Sequence, residues 1–130
     1  MRFTGKFNNK KMDTPDGVFD SKGEYQRWLF LCEAARTGEI SGLKRQVRYT
    51  LIPTQFRTET VQLKTKTKEV QRVAEREITY TADFVYLKNG EIVVEDFKGF
   101  PNDRWPLKKA MMLFFHHIAV REVKKPTEPV

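Results

Sequence analysis

Apolar residues recur along this chain in two rhythms. Between Ser21 and Arg36, the residues Tyr25, Trp28, Leu29, Cys32 and Ala35 step by three and four, as on one helical face. Ser21 and Glu24 have the spacing of a capping box, and Gly38 supplies a stop, so a helix is predicted over 21–36. The stretch LKRQVRYTLIP (43–53) alternates as a strand does, up to Pro53. Residues 54–77 turn polar and charged, as in a solvated hairpin. Then ITYTADFVYLKNGEIVVEDFK places two alternating β-branched and aromatic runs on either side of Asn89-Gly90, the strongest short-range hairpin signal. GFPND reads as a loop. Leu107, Met111, Phe114 and Phe115 mark the stripe of a second helix over 103–116, with Lys108 and Lys109 on another face. HIAVREV (117–123) reads as a last short strand, and KKPTEPV (124–130), with two prolines, as a flexible tail. The succession predicts an α/β fold: a single domain with a mixed β-sheet flanked by helices.

Composition narrows the class. A length of 130 residues suits one modest core, and 39% hydrophobic and 12% aromatic residues can fill it. No apolar run approaches the roughly 18–20 residues of a membrane span, and no signal-peptide pattern is present, so a cytoplasmic protein is expected. The single cysteine, Cys32, excludes an intrachain disulfide and a cysteine-based zinc cluster; its apolar setting suggests a buried thiol. Lys and Arg number 24 against 17 acids, a net charge of +7, which favours an anionic partner, nucleic acid first. The segment 1–15 opens with Arg2, Lys6, Lys10 and Lys11 and reads either as a basic arm or as an ordinary terminus. Lys64, Lys66 and Lys68 are spaced by two and would share one face of a strand. They form either a solvated surface or, with Arg72, a ridge that grips phosphates.

The run EIVVEDFK (91–98) raises the chemical question, because a buried apolar strand ends in two acids and a lysine. With Asn89 and Gly90 at the turn, Val85 faces Val94 and Asp83 faces Asp96, on the same side of the sheet. Lys98 lies two residues further along that face. Like charges set opposite one another destabilise a hairpin unless a divalent cation sits between them. Mg²⁺ suits such a place, taking one or two carboxylates and binding substrate phosphate. A plain Asp96–Lys98 ion pair is the structural alternative. Glu95 points to the other face in this register, and a single β-bulge would exchange it with Asp96. Glu24 is either wholly a capping residue or a helix-borne acid that completes the metal shell.

Asp83, twelve intervening residues, and then Asp96-Phe97-Lys98 resemble the PD-(D/E)XK nuclease signature. The stretches FDSKGEYQRW, GEISGLKRQVRYTLIP, YTADFVY and VVEDFKG further resemble a family of phage and prophage proteins often labelled Holliday-junction-resolvase-like endonucleases. The likeness covers about residues 16–123. It implies a restriction-endonuclease-like core (helix-strand-hairpin-helix-strand) and Mg²⁺- or Mn²⁺-dependent cleavage of double-stranded or branched DNA in a bacterial host cell. It implies Asp83, Asp96, Glu24 and the Phe97 carbonyl as ligands, Lys98 as the catalytic lysine, and Gln46 as a polar neighbour. It also implies a homodimer. From the charges themselves, a basic surface of Lys10, Lys11, Lys64, Lys66, Lys68 and Arg72 is expected to hold the DNA backbone. Alanine stands before Asp83 where the signature has proline, and the lysine-rich 54–77 excursion exceeds a minimal core.

Overall fold

A computed structural model describes residues 11–97 and 103–130. In chain order the elements are β1 (Met12–Thr14), β2 (Gly17–Phe19), α1 (Lys22–Arg36), β3 (Ser41–Ile52), β4 (Gln55–Gln62), β5 (Thr67–Glu75), β6 (Ile78–Lys88), β7 (Glu91–Phe97), α2 (Arg104–His116) and β8 (Arg121–Val123). Asn89 and Gly90 take φ of 52° and 81°, as the tight hairpin turn demands, and Lys88 pairs with Glu91 as expected. The central sheet runs β3-β6-β7-β8 and is mixed: β8 returns parallel to β7 after the crossover through α2, while the other pairs are antiparallel.

The helices flank opposite faces. Neighbouring residues of β6 show this directly: Phe84 packs in the cluster with Leu31 and Ala34 of α1, whereas Val85 packs against the cluster with Met112 of α2. Both helical stripes are met in part: Tyr25, Trp28 and Ala35 pack on the α1-side core and Met111 on the α2-side core, but the fully buried positions are others. In α1 the buried positions are Glu24, Arg27, Leu31 and Ala34, and Leu29 is 46% exposed. Two charged residues hide the true face from a hydrophobicity pattern. In α2 only Met112 is fully buried, and Leu107, Phe114 and Phe115 face solvent. Trp105, packed on Tyr80, and Lys109, paired with Glu122 of β8, hold α2 in that orientation.

Three further expectations are corrected. The last strand is confined to Arg121–Val123, because His117 ends α2 in the left-handed conformation with φ 58° and uses up the preceding residues. The basic segment 1–15 reaches into structure, since Met12–Thr14 form β1 against β2; residues 1–10 lie outside the described set. The last seven residues, expected as a flexible tail, carry tertiary contacts. The carbonyls of Pro126 and Glu128 accept from Arg27 Nη1, that of Pro129 accepts from Arg121, and Val130 packs on the α1 core.

Arg27 adds a buried polar contact between α1 and the sheet to the apolar packing of Leu31 and Ala34 with Phe84 and Tyr86. It is fully buried and meets fully buried Glu95 of β7 in a fork, Nε to Oε1 at 2.9 Å and Nη2 to Oε2 at 2.7 Å. Tyr86 donates its hydroxyl to the same carboxylate, and Arg121 stands 3.5 Å away. Glu95→Ala strands the Arg27 charge in the core and is expected to cost about 3–5 kcal/mol. Arg27→Met with Glu95→Leu removes both charges at similar volume and should cost far less. Urea midpoints of the three proteins measure this; equal losses in both variants would contradict it.

Candidate functional site

The site forms where the sheet ladder opens. Register between β3 and β6 passes from Arg45↔Phe84 to Val47↔Ala82, skipping Gln46 and Asp83. Register between β6 and β7 follows expectation as far as Phe84↔Glu95 and stops short of Asp83 and Asp96. Gln46 has φ 55°, uncommon for a residue with a side chain. Across this row the strands exchange faces. Phe84 and Tyr86 pack toward α1, whereas Tyr80 and Ala82, of the same parity, pack toward α2; Leu43 and Leu51 of β3 behave likewise. In the gap the Asp83 carboxylate accepts the Phe97 N–H through Oδ2 at 2.8 Å, in the place of a strand carbonyl. Its Oδ1 lies 3.5 Å from Gln46 Nε2. Asp83 thus meets β7 through the Phe97 amide, and no ladder pair joins it to Asp96 among the described residues.

Glu24 reaches the same region from α1. Ser21 Oγ accepts the Glu24 amide at 3.1 Å, so the first half of the capping box is made. Glu24 is only 4% exposed, and its Oε2 has no hydrogen-bond partner among the described residues. Arg45 approaches that oxygen to 3.8 Å. The first turn of α1 lies directly on the Phe97 ring: a Cβ at Gly23 would stand 2.9 Å from Phe97 Cε2, so only glycine permits this approach. Asp96 accepts the Tyr80 hydroxyl at 2.9 Å and lies in register with Glu122 of β8.

Burial first, and neighbouring negative charge second, raise the affinity of these acids for protons. Asp83 is pushed up to about 8, by burial first and then by the charges of Glu24 and Asp96, against the pull of the Phe97 N–H. Glu24 rises to about 7 through burial and the charge of Asp20, with Arg45 opposing and Asp96 adding. Asp96 also rises, chiefly by burial, though the Tyr80 hydroxyl lowers it. Glu95, the reserve ligand, is turned to the α1 side and engaged by Arg27. Lys98 and Lys10 lie outside the described residues. Lys11 pairs with Asp20 at 3.7 Å on the surface. Lys64 and Lys66 sit in the turn between β4 and β5, closed by Leu63 N–H to the Lys66 carbonyl at 2.8 Å, and only Lys68 is on a strand. The three lysines therefore do not share one strand face. Arg72 is drawn to Glu59 at 3.6 Å.

Asp20, Arg45, Tyr80 and Glu122 belong to this neighbourhood and were not singled out from sequence. Asp20 had a local signal, standing beside the Ser21 cap. The other three come near only through the tertiary fold. Glu24, with an orphaned carboxylate oxygen, lies within electrostatic reach of Asp83 and Asp96, and carboxylate oxygens are the hard donors that Mg²⁺ or Mn²⁺ takes. Among the described residues, however, no three His, Cys, Asp or Glu side chains stand close enough to form a ready-made shell.

Raised carboxyl pKa values make stability depend on pH with a definite sign. Below about 4, Asp83 and Glu24 are protonated in both folded and unfolded chains, and the site exacts no penalty. Between about 4 and the folded values near 8 and 7, the folded state holds more protons, so stability falls as pH rises. Each group contributes at most about 1.4 kcal/mol per pH unit in that window. In EDTA, Asp83→Asn should melt close to wild type at about pH 5 and several degrees above it at about pH 8.5. A difference independent of pH would show that Asp83 carries no such strain.

No curated protein and no solved structure matches the chain. A family model does match, over residues 4–126, nearly the whole length including both helices and the central sheet. The chain belongs to the family described as protein of unknown function (DUF1064).

Proposed function

We propose that this protein is a divalent-metal-dependent endonuclease of the PD-(D/E)XK kind, with a restriction-endonuclease-like core, that hydrolyses phosphodiester bonds of double-stranded or branched DNA. The observation that carries the reading is that Glu24, Asp83 and Asp96, brought from a helix and two strands, lie within electrostatic reach of one another, with two of them held near neutral pKa. Such a cluster is unfavourable for the fold alone and favourable for a cation. The net charge of +7 suits a polyanionic substrate.

Bound there, Mg²⁺ or Mn²⁺ supplies activation of water and neutralisation of charge on the phosphate. Glu24, Asp83, Asp96 and the Phe97 carbonyl are the groups that would hold it. Asp83 has a second task, fixing the Phe97 amide and with it the peptide plane between Asp96 and Phe97. Tyr80 orients Asp96 by donating to Oδ1. Arg45 lies close to Glu24 and limits the negative charge there before the cation arrives. Lys98 follows Phe97 in the chain, and its ammonium stabilises charge developing on the phosphate. Because the carboxyls begin partly protonated near neutral pH, loading the cation releases protons and strengthens as pH rises toward 8. The preference for junctions and the pairing of two copies belong to the same proposal and follow from the resemblance.

Cleavage assays on junction, flap, duplex and single-stranded DNA test it. Nicking should require Mg²⁺ or Mn²⁺ and be abolished by EDTA. Asp83→Asn, Asp96→Asn and Lys98→Ala should each lose at least about a hundredfold in rate, as expected for removal of a ligand or a charge-stabilising group. Lys98→Ala should retain metal-induced thermal stabilisation, and Asp83→Asn should lose most of it. Wild-type rates in Asp83→Asn and Asp96→Asn, or no cleavage by wild type with either metal on any substrate, would overturn the proposal.

A further inference from the structure

Strands β4 and β5 form a two-stranded sheet of their own, outside the ladder of the central sheet. A lone hairpin is marginally stable in water, and this one is solvent-facing on both sides. Its register sorts the side chains. One face carries Phe56 with Val73, Thr58 with Gln71, Thr60 with Glu69, and Gln62 with Thr67. The Gln71 amide donates to the Thr58 hydroxyl at 3.2 Å, which confirms that these rows share a side. Beyond Phe56 and Val73 it is a surface of hydroxyls and amides with a single acid, Glu69. The opposite face carries Arg57 and Arg72, which bracket Glu59 at 3.4 and 3.6 Å, and Lys68. Lys64 and Lys66 project from the turn, and no acid lies between Gln62 and Lys68.

A membrane or an apolar partner does not fit a ribbon of threonines, glutamines and lysines. A phosphate-lined groove does. At about 3.4 Å per residue, the eight residues of β4 span roughly 27 Å. The DNA major groove, about 12 Å wide, admits a two-stranded ribbon as it stands, whereas the minor groove, about 6 Å wide, takes one only if the duplex is deformed. Threonine hydroxyls and glutamine amides are the side chains that bond base edges there.

We propose that the β4–β5 ribbon lies in the major groove of a DNA duplex, with Thr58, Thr60, Gln62, Thr67 and Gln71 toward the base edges and Lys64, Lys66 and Lys68 on flanking phosphates. The inference rests on the DNA-cleaving reading and sharpens it: the substrate must present a double-stranded arm of B-form shape. Single strands lack the groove, and the major groove of duplex RNA is too narrow for side chains to read.

The full-length protein is titrated in EDTA, by fluorescence anisotropy, against duplex DNA, single-stranded DNA and duplex RNA of one sequence. Duplex DNA should bind at least about tenfold tighter than either. Methylating guanine N7, which lines the major groove, should weaken binding. Gln62→Glu with Gln71→Glu should weaken it about tenfold or more while leaving the melting curve close to wild type, since both positions are exposed and are not opposite one another in the ribbon. Replacing Lys64, Lys66 and Lys68 with Ala should make the salt dependence shallower by up to about 3 in log–log slope, at about 0.9 per contact. Wild-type duplex affinity in the double glutamate variant, indifference to N7 methylation, or equal binding of duplex RNA overturns the ribbon. If those results appear while the protein still cuts DNA with Mg²⁺, the ribbon alone is wrong. If the ribbon results hold and no metal gives cleavage, the nuclease reading fails and a duplex-binding module remains.

Discussion

The ion pair between Arg27 and Glu95 sets the geometry on which everything near the candidate site depends. Both charges are fully withdrawn from water, so the pair adds little net stability and a great deal of registry. Arg27 stands one helical turn beyond Glu24, and Glu95 immediately precedes Asp96. Locking the first two therefore fixes how far apart the other two can be. Gly23, pressed on the Phe97 ring, fixes the same spacing from the other side. The C-terminal segment closes over Arg27 with two carbonyls, satisfying donors that Glu95 leaves unused.

That rigid frame holds together groups that repel. Asp83, Glu24 and Asp96 are each raised above ordinary carboxyl values, and burial leads the causes in every case. A fold under selection for stability alone would replace them or pair them, as it pairs Glu95. The ladder opening at Gln46 and Asp83 adds a second local cost, since β-sheet hydrogen bonds are forgone to turn one carboxylate into an acceptor for the Phe97 amide. Strain and like charge gathered in one place are typical of sites that act on something else.

Much of the fold was legible in the sequence because it follows local rules. Asn89-Gly90 fixed the hairpin and its register, and Ser21 fixed the start of α1. What remained hidden depends on long-range packing. Tyr25 and Trp28 do line the core, but Arg27 and Glu24 are buried deeper beside them, which a hydrophobicity pattern does not show. The face exchange at Asp83 needs the third strand and a left-handed Gln46, which no pairing rule between β6 and β7 reveals. Lys64 and Lys66 looked like strand residues by alternation, yet a turn closes around them. Tyr80 and Glu122 reach Asp96 only after β6 and β8 are laid on either side of β7.

The central physical claim is that Asp83 and Glu24 are held together at the expense of their ionisation. Site-resolved carboxyl titration by ¹³C NMR tests it most directly. In EDTA, Asp83 should titrate near pH 8 and Glu24 near pH 7, and saturating Mg²⁺ should move both midpoints down toward ordinary carboxyl values. Midpoints near 4 for both residues in the metal-free protein, unmoved by Mg²⁺, would contradict the account.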